Sequence, residues 1–459
     1  MKKFLCLFLG TLLVSPVTAF AAASDSFAPA VVERVSAAGQ LKFSATSIAI
    51  DGADYVRYTA ELQLALEGKV ADNIVLGSRL AAYKYWGDFN SEYDDTLRAE
   101  RAYLNWWSIG QSNFHLSLGR RPLFYGTPQN PSADQMHIGT PYGNSADLNL
   151  DGLSLGYDLR PLTGVPGMKI RLCYGKGIES EWSNEDRFKD NFSNYLAEAW
   201  LGGMNVDLYN DEQSLIQLSL FRAMDVTSGV NDAISFQAQY AVLFAPTMYA
   251  DMQKFPGLFL SVTDTSQTKI GDIDLLGINF MRKESRGFTW FASAALSRLK
   301  SNGKAGMFGG LGSDAVFGAQ LSGGGSEILI VPVAAENDDT HQGYGFYAGF
   351  QAPGPWGRFG LEYNYGSRYW TPFIQTQDDL LGSKLDTRGQ ATEAYYLIEV
   401  GRNVSIKIGG IYYDYTYTGS GSPVGEPKKV SEVKAGAAYA IAPPVDTAWD
   451  AYIKFRLEF

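Results

Sequence analysis

The feature of this sequence that most constrains its fold is a period-two alternation of apolar and polar residues, which recurs along most of the chain. The last segment shows it clearly, because the two kinds of residue take turns over Ile453, Lys454, Phe455, Arg456 and Leu457. Such alternation gives a β-strand one apolar and one polar face. A soluble β-sandwich would show the same pattern, so the lengths and connections of the strands must distinguish the two folds.

The alternating segments are long enough to cross a membrane. Many run for about 10 to 15 residues, whereas strands of soluble proteins average about 5–6 and a tilted membrane-crossing strand needs about 9–11. Aromatic residues gather at predicted strand ends, as at Tyr83, Tyr85 and Trp86, and amphipathic rings favour the membrane–water boundary. The sequence therefore predicts an all-β fold, a single transmembrane antiparallel β-barrel.

Short turns and longer loops alternate along the predicted barrel, as they do in outer-membrane barrels. Seven short turns are predicted near 67–73, 108–113, 160–167, 209–214, 282–287, 352–357 and 401–403. Eight mostly longer connections lie near 50–54, 87–96, 122–146, 176–194, 225–268, 300–342, 370–390 and 418–447. These connections give about 16 strands, an even number that returns both ends to the periplasm.

Three further segments alternate but are assigned to loops. Counting 430–439 as a strand would give an odd total and place the last residue outside the cell, so it is predicted to belong to the last loop. Segments 234–244 and 258–263 are placed in the fifth loop, and about 18 strands is the alternative if both span the membrane.

The amino terminus has the composition of a secretory signal. Lys2 and Lys3 precede an apolar run over 4–14, and the small residues of 19–23 form an A-x-A-like cleavage site. We expect a cleaved signal peptide over 1–21, or to 23, then a periplasmic segment over 22–39 and a barrel over 40–459. The mature chain keeps Cys173 as its one cysteine.

Charge and composition exclude several functions. The net charge of −11 argues against a nucleic-acid partner. Two cysteines cannot attach c-type haem through C-x-x-C-H, and three histidines leave little room for a metal site. Ser132, Asp134 and His137 lie close in sequence, yet no nucleophile-elbow pattern surrounds Ser132. We expect neither an enzyme nor a cofactor.

If the apolar faces contact lipid, the alternate residues face a polar, water-filled lumen. Basic residues on strands two to seven and on the closing strand would form a basic wall opposite a wall with more carboxylates, giving a transverse field. Bracing of the barrel by ion pairs is the alternative role. The predicted pore-lining residues are Arg57, Arg79, Arg101, Arg121, Lys169, Arg171, Glu362, Glu393, Glu399, Lys454 and Arg456. The aromatic loop 225–268 is expected to fold into the lumen, or else to cover its outer mouth.

The ending Leu457-Glu458-Phe459 resembles the carboxyl-terminal signature by which the outer-membrane assembly machinery recognises its substrates. With the signal peptide and strand pattern, the mature chain resembles Gram-negative porin-like proteins. The stretch 119–122 followed by 126–128 is similar to an uncharacterised porin-like family of metal- or sulfur-respiring anaerobes. The resemblance implies an integral outer-membrane protein in contact with lipid and lipopolysaccharide, and a homotrimer.

We therefore expect a porin for passive diffusion of small hydrophilic solutes or ions. The sequence leaves two alternatives open. The barrel could be the sheath of an electron conduit, which would require a multihaem cytochrome partner because the chain cannot attach haem itself. It could also transport hydrophobic compounds, which would require an apolar path through the lumen.

Overall fold

The computed structural model describes residues 35–50, 52–87, 97–122, 143–147, 149–176, 199–211, 213–228, 233–237, 259–263, 268–321, 328–374, 381–440 and 444–459. Sixteen strands in this part of the chain form one closed barrel. The barrel closes where the first strand pairs antiparallel with the last, from Gln40 opposite Glu458 to Ile50 opposite Ala448. The predicted all-β antiparallel barrel of 16 strands is confirmed.

The barrel strands follow the chain, with smaller elements between them. Their bounds are β1 Val35–Ile50, β2 Ala53–Ala71, β3 Ile74–Gly87, β4 Leu97–Trp106, β5 Phe114–Pro122, β7 Asn149–Asp158, β8 Lys169–Lys176, β9 Trp200–Asn210, β10 Ser214–Thr227, β13 Lys269–Lys283, β14 Thr289–Ser301, β19 Thr340–Gly354, β20 Gly357–Gly366, β22 Gly389–Glu399, β23 Val404–Tyr415 and β24 Thr447–Glu458. The first strand thus begins inside the segment 22–39 that was predicted to precede the barrel.

The remaining elements belong to the connections. The fifth and sixth long connections form a separate four-stranded sheet from β11 Ala233–Gln237, β12 Phe259–Thr263, β17 Ala315–Leu321 and β18 Ile328–Ala335. Two further pairs are short: β6 Ala146–Asp147 with β21 Phe373–Ile374, and β15 Ala305–Gly306 with β16 Gly309–Gly310. Helix α1 is Arg160–Thr163, helix α2 is Val430–Lys434, and 3-10 turns lie at Ile109–Gln111 and Lys384–Asp386. None of the helices in the described ranges is long and apolar enough to cross a membrane.

Where the structure describes them, the alternating segments that were predicted to lie in loops do lie there. Helix α2 occupies the start of 430–439, so its alternation does not form a barrel strand. Strands β11 and β12 pair with each other and join the loop sheet rather than the barrel. At 430–439, parity of the strand count was therefore a better guide than local alternation.

The two faces of the barrel strands differ as the alternation requires. On β13, Leu275 is buried inside while its neighbours Leu276 and Ile278 are exposed on the outside. Large apolar side chains are exposed at corresponding outward positions, including Leu118, Leu153, Leu172, Leu220, Leu296, Phe346 and Ile453. An apolar outer surface of this extent suits contact with lipid rather than with water.

The interior departs from the expected uniform polarity. On one side the inward residues are apolar and pack into a core with residues from the loops: Leu201, Phe221, Ile273, Leu275, Ala295 and Leu299 from strands, and Ala146, Leu311, Trp370 and Phe373 from loops. The expectation of a fully polar lumen is wrong there. Aromatic rings are also divided between faces, because Tyr83 points inward and donates a hydrogen bond to Glu100.

Candidate functional site

The candidate site is the interior of the barrel, which has two unlike sides. We call the inner faces of β1–β5 and β7–β9 the charged wall. We call the inner faces of β10, β13, β14, β19, β20 and β22 the packed wall. The order of strands around the barrel places these two sets in two continuous arcs, and β23 and β24 close the ring between them.

The residues predicted to line the pore stand at inward positions of their strands. Six of them are buried: Arg57, Arg79, Arg121, Arg171, Glu362 and Glu393. Arg101, Lys169, Lys454 and Arg456 are half-buried. Glu399 ends β22 at the barrel end that carries the short turns, where it is exposed and pairs with Arg358.

Ion pairs brace much of the charged wall. Lys42 and Glu61 lie 2.7 Å apart between Nζ and Oε2, and Arg79 Nε lies 2.5 Å from Glu100 Oε2. Asp207 accepts from Arg171 at 3.0 Å. Basic groups nevertheless exceed carboxylates among the buried side chains of this wall, with Lys42, Arg57, Arg79, Arg121 and Arg171 against Glu61, Glu100 and Asp207.

Glu100 faces inward because of an irregularity that sequence periodicity does not show. Arg79 stands opposite Arg101, whereas the next pair joins Leu80 to Ala99, so the register shifts at this point. A bulge places two residues of one strand against one of its partner. Glu100 is thereby turned to the interior, where it meets both Arg79 and Tyr83.

The carboxylates of the packed wall hold a lysine from a loop. Lys384, which is 2% exposed, donates from Nζ to Glu362 Oε2 at 2.5 Å and also to Glu393. Lys407 donates to Glu393 Oε1 at 2.6 Å, and the Tyr347 hydroxyl donates to Glu362 at 2.7 Å. Glu362 and Glu393 are thus already paired with cations, and their role in lining a pore stays a prediction.

The loop between β20 and β22 enters the barrel around a buried tryptophan. Trp370 is 0% exposed and donates from Nε1 to the Leu385 carbonyl at 2.8 Å. Its ring lies against backbone at Gly345 and Gly366, where any Cβ would overlap the indole. Glycines on adjacent strands therefore make the space that this ring fills.

The loop between β5 and β7 reaches the same region. Ser293 of β14 donates to the Asn144 side chain at 2.7 Å, and the Asn144 backbone N–H donates back to Ser293 at 3.1 Å. Beyond Asn144, β6 pairs in parallel with β21. Segments 143–147, 367–374 and 381–388 of the described chain therefore fold inward. The fifth loop contributes β11 and β12 to the loop sheet, and its expected aromatic constriction over 238–258 lies outside the described residues.

A cluster of carboxylates joins the sixth and eighth long connections. One oxygen each of Asp314, Glu336 and Glu426 lies within 4.8 Å of the others. Lys428 pairs with Glu426 and with Asp314, the latter at 2.9 Å, and Arg368 pairs with Glu426 at 2.5 Å. Burial raises the pKa of Glu426, but the hydrogen bonds and charges of Lys428 and Arg368 outweigh it and lower that pKa overall.

Sequence reasoning did not find Lys384, Lys407 or Trp370. Lys407 stands at an inward position on β23, so extending the alternation to that strand would have located it. Lys384 and Trp370 lie in a long connection, where no period relates a residue to a face. Only their contacts across the lumen reveal their role.

Comparison with known proteins places the chain in a family. The sequence profile of the family described as "Protein of unknown function (DUF3373)" matches residues 53–459. The chain belongs to this family. No protein with curated function is similar enough in sequence to match this DUF3373 member.

Solved structures of outer-membrane porins are similar to this DUF3373 barrel. Salmonella typhi OmpF in complex with daunomycin has 10% identity and a TM-score of 0.48, covering 93% of this chain and 97% of its own. An anion-selective porin from Comamonas acidovorans has 9% identity and a TM-score of 0.47, covering 93% and 99%. Pseudomonas putida OprB has 10% identity and a TM-score of 0.48, covering 93% and 95%. The barrel fold itself rests on the continuous strand ladder of this chain.

Proposed function

We propose that this protein is an outer-membrane porin, a channel for passive diffusion of small hydrophilic solutes or ions. The observation that carries the proposal is the asymmetry of the interior. Inserted loops cover the packed wall, whereas the charged wall keeps ionisable side chains inside an apolar shell. Buried charges are costly and are generally kept where they pair or where they serve passage.

The pathway runs along the charged wall. Arg57, Arg79, Arg101, Arg121, Lys169 and Arg171 line it, with Lys454 and Arg456 near its periplasmic end. The excess of buried basic groups favours anions, since rings or walls of one charge select ions of the other. Because half of these side chains are buried and the other half are partly buried, the pathway is narrow and the conductance small.

The same proposal includes location and partners. A signal peptide over 1–21 exports the chain, and the last strand, ending at Phe459, addresses it to the outer-membrane assembly machinery. Lipid surrounds the apolar outer face, lipopolysaccharide contacts the outer rim, and three copies form the trimer. The exposed leucines and isoleucines on the outward face support the lipid contact.

Planar-bilayer recording tests the channel directly. The mature chain, refolded in detergent and inserted into a bilayer in potassium chloride, is expected to give small, reproducible conductance steps. Heat-denatured protein from the same preparation is the control. An absence of steps from protein that has folded into a barrel would contradict the proposal.

The packed interior counts against the two alternatives. A multihaem cytochrome would have to displace Trp370, Phe373 and the Lys384 ion pairs from the lumen. A transporter of hydrophobic compounds needs an apolar path, whereas the apolar part of this interior is filled by its own loops.

A further inference from the structure

A cavity of about 390 Å³ lies at the periplasmic end of the charged wall. Its lining comes from β4, β5, β7 and β8, from the end of β9 at Asn210, and from short turns on that side at Ser108, Asn113 and Gly167. Every lining residue belongs to the described chain. The volume suits a small organic molecule better than a single inorganic ion, since small-molecule sites begin at about 300 Å³.

The charges around this cavity favour an anion. Arg121, Lys169 and Arg171 line it, and Asp158 is the carboxylate among the lining residues. Asp207 stands behind them and accepts from Lys169 at 3.2 Å and Arg171 at 3.0 Å. Three cations against two carboxylates leave one positive charge in excess.

Two buried polar groups line the cavity without a partner of their own. Asn105 Oδ1 and Ser117 Oγ make no hydrogen bond within the described residues. The two residues are only 2% and 6% exposed, so both groups are buried. Burying a polar group without a partner costs about 1–3 kcal/mol. Such groups are positioned to bond something that enters the cavity.

Two neighbouring aromatic rings form another part of the lining. The rings of Trp107 and His115 lie with centroids 5.3 Å apart and planes at 33°. Gly156 makes room for this arrangement, because a Cβ at that position would overlap the His115 ring. Aromatic faces favour stacking with another planar group.

We propose that this cavity binds a small organic anion that carries a carboxylate on a planar apolar group. Arg121, Lys169 and Arg171 receive the carboxylate, and the Ser117 hydroxyl donates a hydrogen bond to it. Asn105 Oδ1 accepts only from a ligand that carries a donor group, and Trp107 stacks with the planar part. This site goes beyond the proposed channel, because equilibrium binding at the periplasmic end requires no passage through the lumen.

The experiment uses the refolded full barrel in detergent, with benzoate as the probe and inorganic phosphate as the comparison. Calorimetry and tryptophan fluorescence are expected to show saturable benzoate binding, with phosphate weaker by about tenfold or more. Arg121→Gln and Lys169→Gln are each expected to weaken benzoate binding about tenfold, as loss of a charged hydrogen bond does. Trp107→Phe is expected to remove the fluorescence change and to retain the heat of binding.

Arg282→Gln is the matched control. It removes the same charge at another periplasmic turn, where Arg282 pairs with Glu284 at 2.9 Å and both side chains are well exposed. Benzoate affinity is expected to stay unchanged in this variant. If Arg121→Gln does not fold, Lys169→Gln decides, because Lys169 is half-exposed and Arg171 continues to pair with Asp207.

Three results would overturn the site: no benzoate binding to folded protein, equal affinity for phosphate and benzoate, or equal weakening by Arg282→Gln and Lys169→Gln. The proposed channel and the proposed binding site can be contradicted independently of each other. Binding without conductance contradicts the channel alone, and conductance without binding contradicts the site alone.

Discussion

In both the packed wall and the charged wall every second residue of a strand faces the interior. The two walls differ in what the buried side chains contact. Along β10, β13 and β14 the inward side chains are largely apolar or small, and segments 143–147 and 367–374 cover them. Along β1–β5 and β7–β9, ion pairs such as Lys42–Glu61 and Arg171–Asp207 satisfy the buried charges within the wall itself. The difference shows that a barrel's alternation determines which side chains face inward and leaves open what they meet there.

Replacing Trp370 is expected to destabilise the packed wall more than any other substitution proposed here. Trp370→Ala is expected to cost about 4 kcal/mol of unfolding free energy, because it empties a fully buried ring site that glycines have shaped. The change also removes the hydrogen bond from Trp370 to the Leu385 carbonyl, which joins two parts of the inserted loop, so we expect larger conductance steps. Urea unfolding in detergent and bilayer recording measure the two effects.

Trp356→Ala is the matched control, since Trp356 is 87% exposed at a short turn. Its stability and conductance are expected to match the unaltered protein. Equal destabilisation by both substitutions would show that Trp370 does not anchor the loop.

Replacing Lys384 tests whether its ion pairs with Glu362 and Glu393 hold the loop against the packed wall. Lys384→Met keeps the length of the side chain but leaves Glu362 and Glu393 with one cation fewer in a buried setting. Breaking a buried ion pair costs about 3 kcal/mol. Urea unfolding should therefore show a loss of this order, and Lys384→Arg should restore part of it.

Lys283→Met serves as the comparison, because Lys283 is exposed at the end of β13. We expect little change from it. A Lys384→Met protein as stable as this control would mean that the lysine does not hold the loop in the lumen.

The ion pairs of Glu426 in the loops are expected to make a smaller, pH-dependent contribution to the unfolding free energy. Its pKa is lowered overall, so the stabilisation is present above the unfolded pKa of about 4.3 and is lost as pH falls through the folded value. Unfolding free energy is expected to drop by at most about 1 kcal/mol from this group between about pH 5 and pH 3, since the pair is partly exposed.

Glu426→Gln should remove that part of the acid dependence. In the alkaline range the group concerned is Lys428. Its pKa is raised, because its hydrogen bonds to Glu426 and Asp314 outweigh the lowering of the pKa by burial. Its stabilisation is present below the unfolded lysine pKa and is lost as pH rises through the folded value. Urea unfolding at a series of pH values measures both, and an identical acid profile for Glu426→Gln would contradict the assignment.

The sequence predicted the barrel because alternation, loop spacing and strand parity all recur along the chain. Parity placed 430–439 outside the barrel, although it alternates. Segments 234–244 and 258–263 were assigned to the fifth loop, where β11 and β12 lie, although parity allowed both to span. The same alternation gave inward positions for residues such as Arg57, Arg121 and Glu393. Their role in lining a pore remains a prediction.

Other parts of the interior depend on contacts between distant segments. The register shift beside Arg79 turns Glu100 inward, and no local period reveals it. Lys384 and Trp370 come from a long connection and meet strands β19, β20 and β22 only in the folded barrel. Tyr83 was expected at the membrane boundary, yet its hydroxyl bonds to Glu100 inside.

The central claim is that ions pass along the charged wall. Arg101 tests it best, because Arg79 opposite it is already paired with Glu100. In a salt gradient we expect the reversal potential of the unaltered channel to show anion preference, and Arg101→Glu to move it towards cations. Arg298→Glu, an exposed change on the outer face of β14, should leave it unchanged. A reversal potential that Arg101→Glu does not move would contradict the claim.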